Sequence, residues 1–337
     1  MGSLVPYLHR VAARENLSFA DARDAMGALL EGAAPESVIS AFLVALRMKG
    51  ETSAELAGFA AAMRERSIAV DAGSDLIDTC GTGGDSAETF NISTVAALVA
   101  AGAGARVAKH GNRSFARRSG SADMLEALGV RIAMTAEEAA QAIREIGIGF
   151  LFAPHLHPAM KHAQPVRREL KMRTVLNLLG PLVNPARARA QLIGAPSLEA
   201  AELMAAALSQ LGTHRSFVVH GRDGLDEITI TGPTDAVEVT DAGVTHHEWT
   251  PAHFGLGAAP IEAISGGDPA CNAQIAREIL SGAGGPRRDI VLMNAAAALL
   301  AGGLAGDLRE GVAMAARSID SGSAAQKLAL LAKKFPV

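Results

Sequence analysis

Aromatic side chains are scarce in this chain: one tryptophan, one tyrosine and ten phenylalanines among 337 residues. A core built around rings is excluded, so alanine, leucine, valine, isoleucine and methionine must supply it. Cysteine is scarcer still. Cys80 and Cys271 are far apart in sequence, which leaves no disulfide framework and no metal-ligand spacing. Both are expected to be free thiols in a reducing cytosol. Positive charge is not in excess. The formal net charge of −4 argues against broad nucleic-acid binding, which needs a basic face. A polyanionic ligand would depend on locally concentrated Lys and Arg, with help from a divalent metal. No run reaches the ~18 apolar residues of a membrane span. The glycine-broken stretch from Ala295 to Gly306 comes nearest and reads as a buried helix. Arg10, Arg14 and Glu15 interrupt any apolar segment near the start, so no signal peptide is expected.

What is present is a globular composition, 49% hydrophobic and 20% charged, long enough for two domains or one large domain with an appendage. Residues 3–67 read as a unit of about four helices. Ser18-x-x-Asp21 and Thr52-x-x-Glu55 are capping boxes, Pro35 suits a first turn and Gly50 suits a C-cap. Val38, Ile39, Phe42, Leu43 and Leu46 follow helical spacing. From residue 75 short apolar runs alternate with Ala-rich helical segments. Asp75–Asp78, Ala105–Ala108, Phe150–Phe152 and Phe217–His220 are the expected strands. That alternation predicts an α/β domain with a mostly parallel sheet. Ile228–Val244 reads as short antiparallel strands, and 269–283, 289–302 and 307–320 as helices without chemistry.

The chemistry concentrates at strand-to-loop junctions. After Leu76-Ile77, which reads as a strand end, comes Gly81-Thr82-Gly83-Gly84-Asp85. Three glycines in four positions let backbone N–H groups converge on one point, a nest suited to phosphate. Asn91-Ile92-Ser93-Thr94 follows, and either Asn91 or Ser93 is placed to cap the next helix, whose N-terminus also faces an anion. Lys109-His110-Gly111-Asn112-Arg113-Ser114 follows the next strand and supplies fixed cations and hydroxyls. Two such junctions about 30 residues apart place a site at the carboxyl ends of the strands.

Two later segments add to this. Residues 155–184 hold His155, His157, Lys161, His162, Arg167, Arg168, Lys171 and Arg173. The bland reading is a solvated basic helix. Zinc on the three histidines is disfavoured, because no cysteine or nearby carboxylate pair accompanies them. The loop Gly221-Arg222-Asp223-Gly224-Leu225-Asp226-Glu227 follows a strand. It reads either as an acidic surface turn or, beside phosphate-binding loops, as oxygen ligands for Mg²⁺.

GTGGD, NIST, KHGNRS and SGSAD, followed in order by the FAP…HPAMKH…PVRREL…RT…N…GPL…NP signature, resemble the anthranilate phosphoribosyltransferase family over nearly the whole chain. The resemblance implies a nucleoside phosphorylase/phosphoribosyltransferase-like α/β fold. Residues 1–70 would form a small all-helical domain, with a returning segment near 170–190. Residues 71–337 would form the larger α/β domain with a mostly parallel central sheet, joined by a hinge.

The implied reaction transfers phosphoribosyl from 5-phosphoribosyl 1-pyrophosphate to anthranilate, in tryptophan biosynthesis. The implied donor-binding residues are Gly81, Gly84, Asp85, Thr89, Asn91, Ser93, Thr94, Lys109, His110, Gly111, Asn112, Arg113, Ser114, Arg117 and Ser121. Gly81, Asn112 and Arg167 would bind anthranilate, and Ser93, Asp226 and Glu227 would hold Mg²⁺, two ions per subunit. A cytoplasmic homodimer is implied, with no nucleic-acid or membrane partner. No general base is assigned, because the arylamine is already neutral at pH 7. Two other readings are a nucleoside phosphorylase of the same fold, which needs neither Asp226-Glu227 nor PVRREL, and a non-catalytic nucleic-acid-binding relative, which the net charge disfavours. One departure stands out. Where the family carries serines after KHGNR, this chain has Ala116-Arg117. Either Arg117 reaches the pyrophosphate in their place, or it swings to solvent and leaves Arg118 in the usual basic position.

Overall fold

The computed structural model describes residues 2–83, 88–114 and 118–337. The chain opens with helices α1 (Val5–Ala12), α2 (Phe19–Leu30), α3 (Glu36–Lys49) and α4 (Ser53–Glu65). The capping boxes form as read: Ser18 with Asp21 starts α2, and Thr52 with Glu55 starts α4. Pro35 stands just before α3 rather than in its first turn, and Gly50 ends that helix at φ 89. The Glu55 carboxylate does more than cap. It also accepts from the Leu17 N–H and from Lys49 Nζ, tying three helix ends together.

The alternating part follows as β1 (Leu76–Gly81), α5 (Ile92–Gly102), β2 (Arg106–Gly111), α6 (Ser121–Ala127), α7 (Ala136–Ile146) and β3 (Ile148–Phe152). Short helical pieces α8 (Ala153–Leu156), α9 (Gln164–Leu170) and α10 (Leu176–Leu179) lead into β4 (Ala190–Gly194), α11 (Leu198–Leu211) and β5 (Arg215–Gly221). An antiparallel hairpin, β6 (Thr234–Thr240) and β7 (Gly243–Trp249), closes the sheet. Four helices finish the chain: α12 (Pro269–Leu280), α13 (Pro286–Ala301), α14 (Leu308–Asp320) and α15 (Ser323–Lys334).

The seven strands lie in the order β3-β2-β1-β4-β5-β6-β7, parallel from β3 to β5. Side chains alternate between two cores, as the pleat requires. Leu192, Phe217 and Val219 point into one core with α5, α7 and α12–α15. Ile193, Val218 and Val237 point into the other, which is continuous with α2–α4, α11 and residues 175–183. The helical unit therefore rests on one face of the sheet. Arg64 of α4 fastens it, donating from Nε to the Leu182 carbonyl at 2.7 Å.

Several boundaries differ from the sequence reading. Leu76-Ile77 begins β1 instead of ending a strand, and β2 continues through Lys109, His110 and Gly111. Ladder pairing of Lys109 with Phe150 and His110 with Leu151 overrides the polar composition there. Residues 228–233 form no strand, and α15 has no side-chain cap to announce it.

Candidate functional site

The strand order reverses between β1 and β4, since the chain adds β2 and β3 on one side of β1 before crossing to the other. A crevice opens at the carboxyl ends of such strands. Here it is a cavity of about 330 Å³, walled on one side by α9, α10 and Met63 of α4. Gly81, Asn91, Ser93, Thr94, Lys109, His110, Gly111, Asn112, Arg113, Ser114, Ser121, Arg167, Asp226 and Glu227 all line it. Residues far apart in the chain thus share one space. Thr89 is not brought to the wall; it bridges to Ser265. Gly84, Asp85 and Arg117, with Ala116, lie outside the described residues.

Asp226 and Glu227 are buried at the cavity edge. Asp226 Oδ2 accepts from the Gly83 N–H at 2.8 Å, and Glu227 Oε1 accepts from the Ser93 N–H at 3.2 Å. The carboxylates are therefore held against the glycine loop and the first turn of α5. Asn91, although it precedes α5, makes no side-chain cap. Its Oδ1 instead accepts from Ser119 Oγ and Asn272 Nδ2, fixing the wall opposite. The loop carrying the carboxylates is stiffened from within: Thr229 Oγ1 and Thr231 Oγ1 both donate to Asp223 Oδ2, at 2.5 and 2.6 Å.

At the base, Lys109 is buried and donates to the Thr79 carbonyl. Asp78, also buried, accepts from the His110 N–H at 3.1 Å and from Asn184 Nδ2 at 2.7 Å. Burial pushes the Asp78 carboxyl up, and the Lys109 ammonium, with those hydrogen bonds, pulls it back down. Burial, with Asp78 beside it, raises the Cys80 thiol well above its ordinary value, so this cysteine is chemically quiet. Arg113 lines the cavity, but its guanidinium is engaged by Asp123 at 2.7 Å and Glu126 at 2.6 Å, which hold it strongly protonated.

At the far end stand two imidazoles, His110 and His157, with ring centroids 5.2 Å apart. His110 Nδ1 lies 3.1 Å from the Gly180 carbonyl. A ring nitrogen facing a carbonyl must carry the proton, so the His110 Nε2 presents a bare lone pair. Burial lowers His110 to about 3 and His157 to about 4, so both rings are neutral near pH 7. Both Nε2 atoms, together with the hydroxyls of Thr94 and Thr89, are buried without a hydrogen-bond partner among the described residues. Buried polar groups are normally satisfied. Three of these four residues line the cavity, which points to a ligand that completes them.

Within the basic segment only Arg167 enters the cavity as a cation, and burial lowers its guanidinium. Lys161, Arg168, Lys171 and Arg173 face solvent, as the bland reading has it. His157, five residues after the predicted strand Phe150–Phe152, reads from sequence as part of a solvated basic helix or as a disfavoured zinc ligand; the structure buries it against His110. Asp78, Asn184, Asn272 and Asn294 were missed. Only Asn294 carries a signal in the sequence, as the one polar residue between Ile290 and Ala301 of α13; Asn184 lies in a loop and Asn272 in a helix of mixed composition.

Hard oxygen donors beside a glycine loop and a helix N-terminus fit Mg²⁺. Among the described residues no group of three or more His, Cys, Asp or Glu could hold a metal. Two carboxylates with a hydroxyl are what Mg²⁺ takes when waters and substrate phosphates supply the rest.

Comparison with known proteins gives concordant matches. The family described as "Glycosyl transferase family, a/b domain" matches residues 73–325, and "Glycosyl transferase family, helical bundle domain" matches residues 5–67. The anthranilate phosphoribosyltransferase of Solibacter usitatus is 59% identical over 98% of both chains. The crystal structure of anthranilate phosphoribosyltransferase from Thermus thermophilus superposes with a TM-score of 0.92, at 44% identity over 97% of this chain and 98% of that one. The Saccharomyces cerevisiae enzyme in complex with PRPP and Mg gives 0.89, at 29% identity over 98% of both chains. The same yeast enzyme has also been seen in complex with 4-fluoroanthranilate.

Proposed function

Because the chain belongs to the anthranilate phosphoribosyltransferase family, we infer that it transfers the phosphoribosyl group of 5-phosphoribosyl 1-pyrophosphate to the amine of anthranilate. The products are N-(5-phosphoribosyl)anthranilate and pyrophosphate, in tryptophan biosynthesis. One observation carries most weight: a single cavity joins a glycine loop, a buried lysine, a buried acidic pair, a half-buried arginine and three orphaned polar side chains.

In the reaction the amine lone pair forms a bond to C1 of the sugar as the C1–oxygen bond to pyrophosphate breaks. One N–H proton then passes to solvent or to the departing pyrophosphate. The difficulty lies in the leaving anion and the positive charge growing on the sugar, so positioning and electrostatics are what the protein must supply. The Gly81–Gly83 backbone, the α5 N-terminus with Thr94, and Lys109 converge where the pyrophosphate and its phosphoribosyl group would sit. Gly84, Asp85 and Arg117 are proposed as further donor contacts on the sequence pattern alone. Asp226, Glu227 and Ser93 are the residues that would hold Mg²⁺, with two ions per subunit as the proposed number. When bound, Mg²⁺ supplies charge neutralisation on the leaving group.

Arg167 offers a planar fork that matches the anthranilate carboxylate. The Nε2 atom of His110 offers an acceptor for an amine N–H, with the buried His157 ring beside it. With values near 3 and 4 these rings are weak bases, suited to orienting an N–H rather than taking its proton. Asn112 and Gly81 complete the proposed acceptor contacts. We also propose the domain division 1–70 with 170–190 against 71–337, and a cytoplasmic homodimer. Among the described residues no helix is long and apolar enough to cross a membrane.

The deciding assay is pyrophosphate release. It is expected to require both anthranilate and Mg²⁺. Phosphorolysis of a nucleoside without Mg²⁺ would overturn this reading in favour of a phosphorylase.

A further inference from the structure

Helix α13 is buried along most of its length and is almost wholly apolar from Ile290 to Ala301. Asn294 is the exception, 0% exposed. Its carboxamide is fully used. Oδ1 accepts from the Ile228 N–H at 3.1 Å, and Nδ2 donates to the Ile228 carbonyl at 3.0 Å and to the Ile290 carbonyl at 2.9 Å. The side chain thus takes both backbone groups of one residue, as a neighbouring strand would. That residue directly follows Glu227. On the other side of the loop the Asp226 backbone lies against Gly194, where a Cβ would overlap the Asp226 carbonyl oxygen. The acidic pair is therefore held between β4 and Asn294.

The same helix packs against α5, whose first turn carries Ser93, and against β1, β4 and β5. One rigid element thus references all three proposed ligands. A core position in an apolar helix would ordinarily be filled by leucine or alanine. A buried carboxamide there is costly unless each of its groups is bonded. It also satisfies the buried Ile228 N–H and carbonyl, so its loss costs stability as well. The strand-like grip does something packing cannot: it sets the height and direction of the 226–228 backbone.

We propose that Asn294 is a positioning residue for the metal-binding pair, fixing Asp226 and Glu227 through Ile228 in the geometry that holds a divalent cation with pyrophosphate. This rests on the assignment of Asp226 and Glu227 as metal ligands. The test is Mn²⁺ binding to the whole enzyme in the presence of pyrophosphate, followed by the electron paramagnetic resonance of free Mn²⁺. Asn294→Leu keeps the branched shape, with somewhat more bulk, and removes all three hydrogen bonds. It is expected to weaken Mn²⁺ at least tenfold, while anthranilate affinity stays within twofold of the parent. Asn294→Ser, a smaller perturbation, serves under the same criteria if Asn294→Leu does not fold. In an Asp226→Asn/Glu227→Gln background the further Asn294 change is expected to add nothing. Unaltered Mn²⁺ binding with a lowered melting temperature would overturn the proposal and make Asn294 a core staple only. Unaltered Mn²⁺ binding in Asp226→Asn/Glu227→Gln itself would instead overturn the metal assignment.

Discussion

Gly194 at the end of β4 lies directly under the backbone carbonyl of Asp226, with no room for a side chain between them. Gly81 at the end of β1 comes close as well: a Cβ there would lie 2.9 Å from Asp226 Oδ2. Two glycines on adjacent strands thus let the acidic loop settle onto the sheet edge, next to the Gly81–Gly83 loop. Gly194→Ala must push the loop outward. A displacement of about 1 Å at a catalytic group costs on the order of 100-fold in rate. The expected outcome is a loss of that order in turnover and a raised Mg²⁺ requirement, with the circular dichroism of the parent. Turnover within twofold of the parent would show that the loop tolerates displacement.

Arg167→Lys tests the acceptor end. A lysine keeps the charge but loses the planar fork. Hydrogen bonds to charged groups contribute about 1.5–3 kcal/mol each, so losing one weakens binding about 10- to 100-fold. The KM for anthranilate is expected to rise by that factor, and the KM for 5-phosphoribosyl 1-pyrophosphate by far less. Parallel rises in both would assign Arg167 to the donor or to the packing of α9.

Acid stability follows from the histidine pair. An unfolded histidine titrates near 6.5, whereas folded His110 and His157 titrate at about 3 and about 4. Below pH 6.5 the unfolded state therefore binds more protons than the folded one. Stability rises with pH through this window and falls as pH drops from 6.5 toward 4. Above 7 both states are neutral and the pair contributes no pH dependence. Urea unfolding at half-unit steps from pH 7 to 4.5 should show a declining midpoint. The decline should be shallower in His157→Gln. The same slope in the variant would contradict the neutral, buried assignment.

The helical unit carries its own test. The side chains of Lys49 and Glu55 pair at 2.9 Å while only 3% and 0% exposed. Glu55 also accepts from Leu17 and Thr52, so it ties together the ends of three helices. Removing one partner of a buried pair typically costs about 3–5 kcal/mol. Glu55→Ala is expected to lower the melting temperature sharply while leaving kcat at 25 °C near that of the parent. An unchanged melting temperature would mean that water reaches Lys49 easily.

Much of this molecule was legible without coordinates, and for identifiable reasons. Capping boxes at Ser18 and Thr52 act within four residues, so their outcome is local. Gly81–Gly83 and KHGNR point to anion binding because each packs several ligand-binding groups into a short span, whereas PVRREL and the acidic loop gain their proposed roles through the family resemblance. What could not be read were contacts between elements far apart in the chain. Lys109, His110 and Gly111 looked like loop residues by composition, yet parallel pairing with β3 makes them strand. Asn91 looked like a helix cap, yet its amide is taken by Ser119 and Asn272, 28 and 181 residues away.

The sequence by itself determined the alternation of elements, the residue types at each junction and the absence of a disulfide framework. Short-range hydrogen bonding and hydrophobic periodicity are enough for these. Only the tertiary structure decided that His157 faces His110 instead of joining a metal site, and that Arg113 turns to Asp123 and Glu126. It also decided that a lone asparagine in an apolar helix grips the residue after Glu227. Each depends on which strands and helices become neighbours, and on the penalty for burying a polar group unpaired. That penalty takes effect only once the partners meet in three dimensions.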